Sequence, residues 1–223
     1  MPISTNTFLL EIRAALGPIS RDAQQSTRAW DLYEVLVLGA VVGGARRANG
    51  QVELLDTNGN PATRYLFRSS PGPLARPSQQ FTHAEIRFAG QPALEAHTGI
   101  WVVGKSQLPH ECDCAVVSKA EADAVRSAGR TPLWGQLLIH AEAKYYARPV
   151  PFGHGRAFLG LGLDLGWKGS TLVINRQSQN AMQLVRRRKA AAFKLTPGDT
   201  DDMYQLECRF QQRFARYRRT GSV

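Results

Sequence analysis

The sequence predicts an α/β protein, a mixed sheet covered by helices. Short apolar runs with strand character recur between residues 82 and 144 and again at 170–175. Helical patterns at 3–16, 20–47, 119–127, 154–165, 178–189 and 199–218 surround them. This order of helix, antiparallel-looking strands, helix, strand and helix suits a sheet with helices packed on it. At 223 residues, 43% of them apolar, the chain is long enough to bury a proper core as one domain.

The first helix, 3–16, is short and amphipathic and stops at Gly17-Pro18. The second, 20–47, takes Ser20 as its cap and ends at the Asn49-Gly50 turn. Its half from 30 to 42 is apolar almost all round, which marks a buried central helix, and Glu34 sits inside that half. Gly39, Gly43 and Gly44 weaken its last turns. Residues 51–55 and 64–67 flank a turn-rich link and suggest a β-hairpin, and 69–79, with three prolines, reads as a loop. Residues 50–80 thus form an expected insertion before the main strands. Strands follow at 82–88, 94–104, 112–117 and 133–144, with a polar helix at 119–127 that ends at Gly129. Pro149 and Pro151 precede a helix at 154–165, a buried strand at 170–175 and a helix from Ser178 to about residue 189. Residues 190–195 read as a strand or an extended helix tail, and a basic helix closes the sequence at 199–219.

Lys and Arg number 28 against 18 Asp and Glu, a net charge of +10. That excess favours a polyanionic partner such as nucleic acid or an anionic membrane. The longest apolar run, 35–42, is far too short to span a bilayer, and residues 1–7 lack the regions of a secretory signal. Three cysteines, an odd number, fit a reducing cytoplasm, and Cys112 and Cys114 are expected to share one strand face opposite Asp113. No P-loop, GxSxG, dinucleotide fingerprint or zinc-finger spacing is present.

Carboxylates in apolar, strand-like sequence are costly to bury unless something pairs with them. Two such stretches stand out. Residues 110–117 carry Glu111 and Asp113, and residues 137–144 carry Glu142 and Lys144. On a strand, Glu142 and Lys144 project from one face. If the two strands are neighbours, Asp113 and Glu142 can approach one ion with Lys144 beside them. Mg²⁺, with Mn²⁺ as a substitute, suits an all-oxygen site that keeps room for waters and substrate phosphate. Such an ion polarises a phosphoryl oxygen and activates water, and Lys144 would orient that water or stabilise charge at phosphorus. Glu34 needs a partner on its apolar helix, either at this site or as a buried Arg or Lys.

Glu95 and His97 share a face, and His140 shares one with Glu142; each histidine reads as a ligand, an acid–base group or a satisfied core residue. Tyr145 and Tyr146 line a groove or pack. Gly153-His154-Gly155-Arg156, at a helix start, offers N–H groups and Arg156 to a phosphate. Basic clusters at Arg186, Arg187, Arg188 and Lys189, and at Arg209, Arg213, Arg216, Arg218 and Arg219, suit sequence-independent binding of nucleic acid.

An acidic helix residue (Glu34), an Asp near the start of an apolar strand (Asp113) and Glu-x-Lys ending the next strand (Glu142-Ala143-Lys144) together resemble the PD-(D/E)XK nuclease superfamily. The resemblance covers residues 28–190 and implies a restriction-endonuclease-like αβββαβ core, a mixed central sheet flanked by helices. It implies a metal-dependent endonuclease acting on DNA rather than RNA, with Asp113 and Glu142 holding Mg²⁺ and with Lys144 and Glu34 completing the catalytic set. It also implies a role in bacterial defence, restriction or repair, with targeting through a homodimer or a partner protein. No proline directly precedes Asp113, and the stretch from Asp113 to Glu142 is wide and contains a helix. The same residues also allow a non-catalytic nucleic-acid-binding module on this fold, or an interaction protein whose basic surface recognises an acidic one.

Overall fold

A computed structural model describes residues 4–20, 28–68, 70–75 and 79–223. Helix α1 (Thr5–Leu16) is capped by Ser4, whose hydroxyl accepts from the Asn6 amide, and it ends at Gly17. Helix α2 (Ala29–Arg47) leads into β1 (Gln51–Leu55), β2 (His83–Arg87), β3 (Leu94–Val103) and β4 (Pro109–Ser118). Helix α3 (Lys119–Ala128) is capped by the Ser118 hydroxyl and stopped by the left-handed Gly129. A 3₁₀ turn (Trp134–Gln136) then enters β5 (Leu137–Lys144). The chain closes with α4 (Phe152–Leu165), β6 (Ser170–Ile174), α5 (Gln179–Arg187), β7 (Ala191–Lys194) and α6 (Thr200–Thr220).

The seven strands form one sheet in chain order. Neighbours are antiparallel from β1 to β5, then β5, β6 and β7 run parallel. The parallel steps pass through α4 and α5, as such crossovers require. One face buries Phe8 and Ile12 of α1, the apolar length of α2, and Phe210 and Phe214 of α6 against Ala96, Val116, Ala141 and Val173. The other face is covered by α3, through Ala122 and Val125, and by α4 and α5, through Phe158, Met182 and Val185. This is an α/β sheet with helices on both sides. Among the described residues no helix is long and apolar enough to cross a membrane.

Helix α2 carries Gly43 and Gly44 where α6 lies too close for side chains. A Cβ on Gly44 would come within 2.7 Å of Phe210 Cβ and 2.9 Å of the Gln211 nitrogen.

Several expectations are corrected. Residues 51–55 and 64–67 do not form a hairpin. Tyr65 is fully buried and exchanges backbone hydrogen bonds with Pro18 (2.7 Å) and Ser20 (3.1 Å), so its backbone groups are already engaged. Strand β1 instead pairs with β2, Gln51 opposite Arg87, and extends the sheet as its edge. The expected insertion at 50–80 is therefore partly sheet. The second helix begins at Ala29, since Arg28 is extended at its cap; residues 21–27 lie outside the described residues, as do 69 and 76–78 of the proline-rich loop. Of the two readings left open for residues 190–195, the strand is the one that forms, over Ala191–Lys194.

Cys112 and Cys114 do not share a face. Cys114 joins the core under α2, whereas Cys112 joins Ala115 and Val117 on the opposite side. The β3–β4 ladder runs from Leu94↔Ser118 to Val103↔Pro109 but skips Gly99 and Asp113, and Gly99 has φ +57°. The pleat changes phase at Asp113.

Candidate active site

Strands β4 and β5 are antiparallel neighbours, with Cys114 opposite Ala141. One step further along, Asp113 stands beside Glu142. Asp113 accepts a hydrogen bond from the Ala143 amide at 2.8 Å and another from Lys144 Nζ at 3.1 Å. The same Nζ lies 2.7 Å from Glu142 Oε1. One ammonium thus bridges two carboxylates from adjacent strands, and Asp113 is only 5% exposed. Beyond Lys144, Asn175 holds the chain end in place: its side chain accepts from the Tyr146 amide (2.9 Å) and donates to the Tyr146 carbonyl (2.8 Å).

Burial and the neighbouring Glu142 charge push the Asp113 carboxyl well up from its ordinary value, although Lys144 opposes them. Burial also acts on Glu142, but His140 and Lys144 outweigh it and hold that carboxyl below the ordinary range. The two acids are unequal sharers of one cation and titrate as a unit. Lys144 loses some proton affinity to burial and gains more from Asp113 and Glu142, so its pKa stands above the usual lysine value. It is held as an ammonium, so it acts as a cation, not as a base.

Glu34 reaches the cluster from α2, on the other element that the sequence marked. Burial, then Asp113, Asp31 and Glu111, raise its carboxyl to about 9. Its carboxyl makes no hydrogen bond or ion pair among the described residues and feels its neighbours only through their charge. Glu111 is exposed, and burial together with Glu142 raises it while Lys144 opposes. Four acids therefore surround one lysine.

Other residues divide by position. His140 is buried, stacks on Phe158 and has Nε2 3.7 Å from Glu142 Oε2. His154, at the start of α4, accepts or donates with Tyr146 Oη at 2.7 Å, and burial followed by the Lys144 charge lowers its pKa. Arg156, two residues further on, is exposed, its guanidinium 4.7 Å from the Phe152 ring. Because α4 follows β5, its N-terminus lies at the same end of the sheet as Lys144. Tyr145 packs inward on Phe8 and Tyr33. His110 is taken by Asp164 of α4 and stands apart from the acids.

Arg186, Arg187, Arg188 and Lys189 do not join the acids. They crown the C-terminus of α5, which runs back toward the start of β7, so they lie at the opposite end of the parallel strands from Lys144. They also do not form a single helical face, since α5 ends at Arg187 and Lys189 has φ +58°. Cations are favoured at that helix end whatever else they do.

The acids suit a hard cation by chemistry: all their donors are oxygens, and Mg²⁺ needs only one or two carboxylates beside waters and phosphate. Burial first, and then neighbouring acids, raise Asp113, Glu34 and Glu111, and an added cation would oppose both effects. Among the described residues, no group of three or more His, Cys, Asp or Glu side chains is drawn together as a ready metal cage. Lys144 bridges the closest pair instead.

No family model matches the chain, and neither a curated protein nor a solved structure does.

Proposed function

We propose that the chain is a metal-dependent nuclease of the PD-(D/E)XK type, cleaving phosphodiester bonds in DNA rather than RNA. The observation that carries the reading is the convergence of Asp113 and Glu142 on Lys144 Nζ, at 3.1 and 2.7 Å, with Glu34 facing them from α2. The element order α2, β3, β4, β5, α4, β6 supports it, being the αβββαβ order of the family that the motif resembles. Strands β1 and β2 and helix α3 are then additions to that core.

In this reading Asp113 and Glu142 hold Mg²⁺ or Mn²⁺ through carboxylate oxygens. The chemistry such an ion supplies when bound is Lewis acidity toward a phosphoryl oxygen and acidification of water. Lys144, a fixed ammonium, orients the attacking water and stabilises charge building on phosphorus. Glu34, with its carboxyl raised to about 9, is protonated near neutral pH and can donate a hydrogen bond or its proton to a group at the site. Arg156 and the first turn of α4 face the same end of the sheet and can hold a flanking phosphate. A cytoplasmic role in bacterial defence or restriction, with a dimer or partner supplying targets, completes the reading.

The test is incubation of the purified protein with supercoiled plasmid, single-stranded DNA and RNA, in Mg²⁺, in Mn²⁺ and in EDTA. Cleavage that needs metal and vanishes in a Glu142→Ala/Lys144→Ala double variant is expected. Salt-sensitive binding without cleavage would favour the second reading, a non-catalytic nucleic-acid module, to which the Lys144 bridge between the carboxylates also points.

A further inference from the structure

A cavity of about 420 Å³ opens between the C-terminal end of α4, the loop at 166–169 and the 3₁₀ turn before β5. Its lining includes two indoles, Trp134 and Trp167, and three cations, Lys105, Lys168 and Arg213, and it contains no acidic residue. Trp134 is 38% exposed, and Trp167 is seated over Gly162, where a Cβ would collide with its ring. None of the three cations has a carboxylate partner among the described residues. Lys105 Nζ donates to the Leu163 carbonyl at 3.1 Å and lies 4.7 Å from the Trp134 ring centroid. Arg213 Nη2 donates to the Leu138 carbonyl at 3.2 Å, while its Nε is buried without a hydrogen-bond partner. Lys168 is exposed at the mouth.

Three uncompensated cations and a buried, unpaired N–H call for an anion with several acceptor oxygens. Burial and the neighbouring Arg209 and Arg216 charges already lower the Arg213 pKa, which an anion would relieve. A bare phosphate has no use for two indoles, and an apolar ligand has none for three cations. A base joined to a phosphate satisfies both, since aromatic side chains stack on bases of any sequence and basic ones hold the backbone. The volume lies within the ~300–1,000 Å³ range of small-ligand sites. Arg209, one turn before Arg213 on α6, lines a neighbouring cavity together with Arg186 and Lys189. A row of cations therefore leads from the end of α5 to the indoles.

We propose that this cavity is a nucleotide site, in which the tryptophans stack a base and Lys105, Lys168 and Arg213 hold its phosphate. The ligand is either a free mononucleotide or one nucleotide of a strand lying along the row of cations. His140 forms part of the wall and stands 3.7 Å from Glu142, so the occupant lies beside the acidic site on the same face of β5. The assignment does not require the acids to cut anything.

The test is done on the full chain in EDTA, so that it is independent of any metal. Calorimetric titrations use the four nucleoside 5′-monophosphates, ribose 5-phosphate and adenosine; anisotropy titrations use a labelled single-stranded oligonucleotide. Mononucleotide binding at least tenfold tighter than that of ribose 5-phosphate or adenosine is expected. Lys168→Glu and Trp134→Ala, both at exposed positions, should each weaken it at least tenfold while the melting temperature holds. If only the oligonucleotide binds, and both variants weaken it to that degree, the source is a strand. Affinity unchanged in both variants, equal binding of ribose 5-phosphate, or no binding of either nucleotide ligand would overturn the assignment. Failure of plasmid cleavage in Mg²⁺ would leave all these readouts in place.

Discussion

The sheet carries two groups of buried acid, and the protein treats them in opposite ways. On β3, Glu95 is 1% exposed and surrounded by partners: Arg126 Nη1 at 3.0 Å, His97 Nε2 at 3.0 Å, Lys119 Nζ at 3.5 Å and His83 Nε2 at 3.8 Å. Burial works against its charge, but His97 and Arg126 overcome it and hold the carboxyl far below the ordinary range. His83 and His97 are themselves kept neutral by burial, His83 down to about 3. On β4 and β5, Asp113 and Glu142, with Glu34 and Glu111 nearby, share Lys144 as their one permanent cation among the described residues, with His140 beside Glu142. There Glu95 meets Arg126 and Lys119, which Asp123 and Glu85 also contact; here four acids meet one lysine. The first is a closed ion network that ties α3 to the sheet. The second has more carboxylates than cations, and that imbalance, added to the burial of the acids, distinguishes a site for a cation from a structural ion pair.

Mutation should separate the two regions most sharply at the level of activity. Glu142→Ala is expected to lower metal-dependent cleavage by about 10²–10³-fold or more, the scale of losing a charge-stabilising group, while a urea melt moves little. Single-turnover plasmid assays check it, and an unchanged rate would remove the acids from the reaction. Next in size, Glu95→Ala should destabilise the fold by about 3–5 kcal/mol, because it removes the buried carboxylate on which Arg126, Lys119, His83 and His97 converge. Urea denaturation measures this. A loss below ~1 kcal/mol would mean that the network is not closed.

Glu34→Gln should weaken Mg²⁺ binding, read by calorimetry, by about 10–100-fold, as for groups that support ligands. The same variant tests the opposite pH signs of the two clusters. The folded-state pKa of Glu34, about 9, lies above its ordinary 4.5. Its contribution to stability is therefore full below 4.5 and is lost as pH rises toward 9. Glu95 has the reverse sign: its contribution is present above 4.5 and is lost as pH falls below it. Urea midpoints should decline on the alkaline side in the wild type but not in Glu34→Gln, and added Mg²⁺ should flatten the same limb. The smallest effect is expected from Asp123→Ala at the exposed rim of the Glu95 network, below ~1 kcal/mol, although Asp123 contacts both Lys119 and Arg126 at 3.0–3.1 Å.

Much of this was legible in the chain because it depends on local rules. Ser118 with Gly129, and Asp199 before α6, mark helix ends by chemistry that acts within a few residues. The period of two along 137–144 places Glu142 and Lys144 on one face without any knowledge of the neighbours. The apolar run around Glu34 announces a buried helix with an acid in it. Where strands chose between partners, the sequence was silent. Residues 64–67 look as ready to pair with 51–55 as residues 83–87 do, and only the docking of Tyr65 against 18–20 decides between them. The change of pleat at Asp113, which parts Cys112 from Cys114, depends on Gly99 in the facing strand. The indole cavity left only a faint mark, a Trp-Lys pair at 167–168 and a second Trp at 134, because its walls come from five separate segments.

The sequence by itself determined the residue types at the acidic site, the strands and helix that carry them, and an excess of positive charge. These follow from local geometry, burial cost and composition. The tertiary structure decided which acids are compensated. Glu95, with as apolar a setting as Asp113, gains Arg126 and Lys119 from α3 across the face of the sheet, whereas among the described residues Asp113 and Glu142 find one permanent cation, Lys144. The tertiary structure also put Arg186–Lys189 at the far end of the strands, with α6 bringing Arg213 to the tryptophans. The reason is the reach of electrostatics: a charge is answered by whatever lies within a few ångströms, and over such distances the fold, not the order of residues, chooses the neighbours.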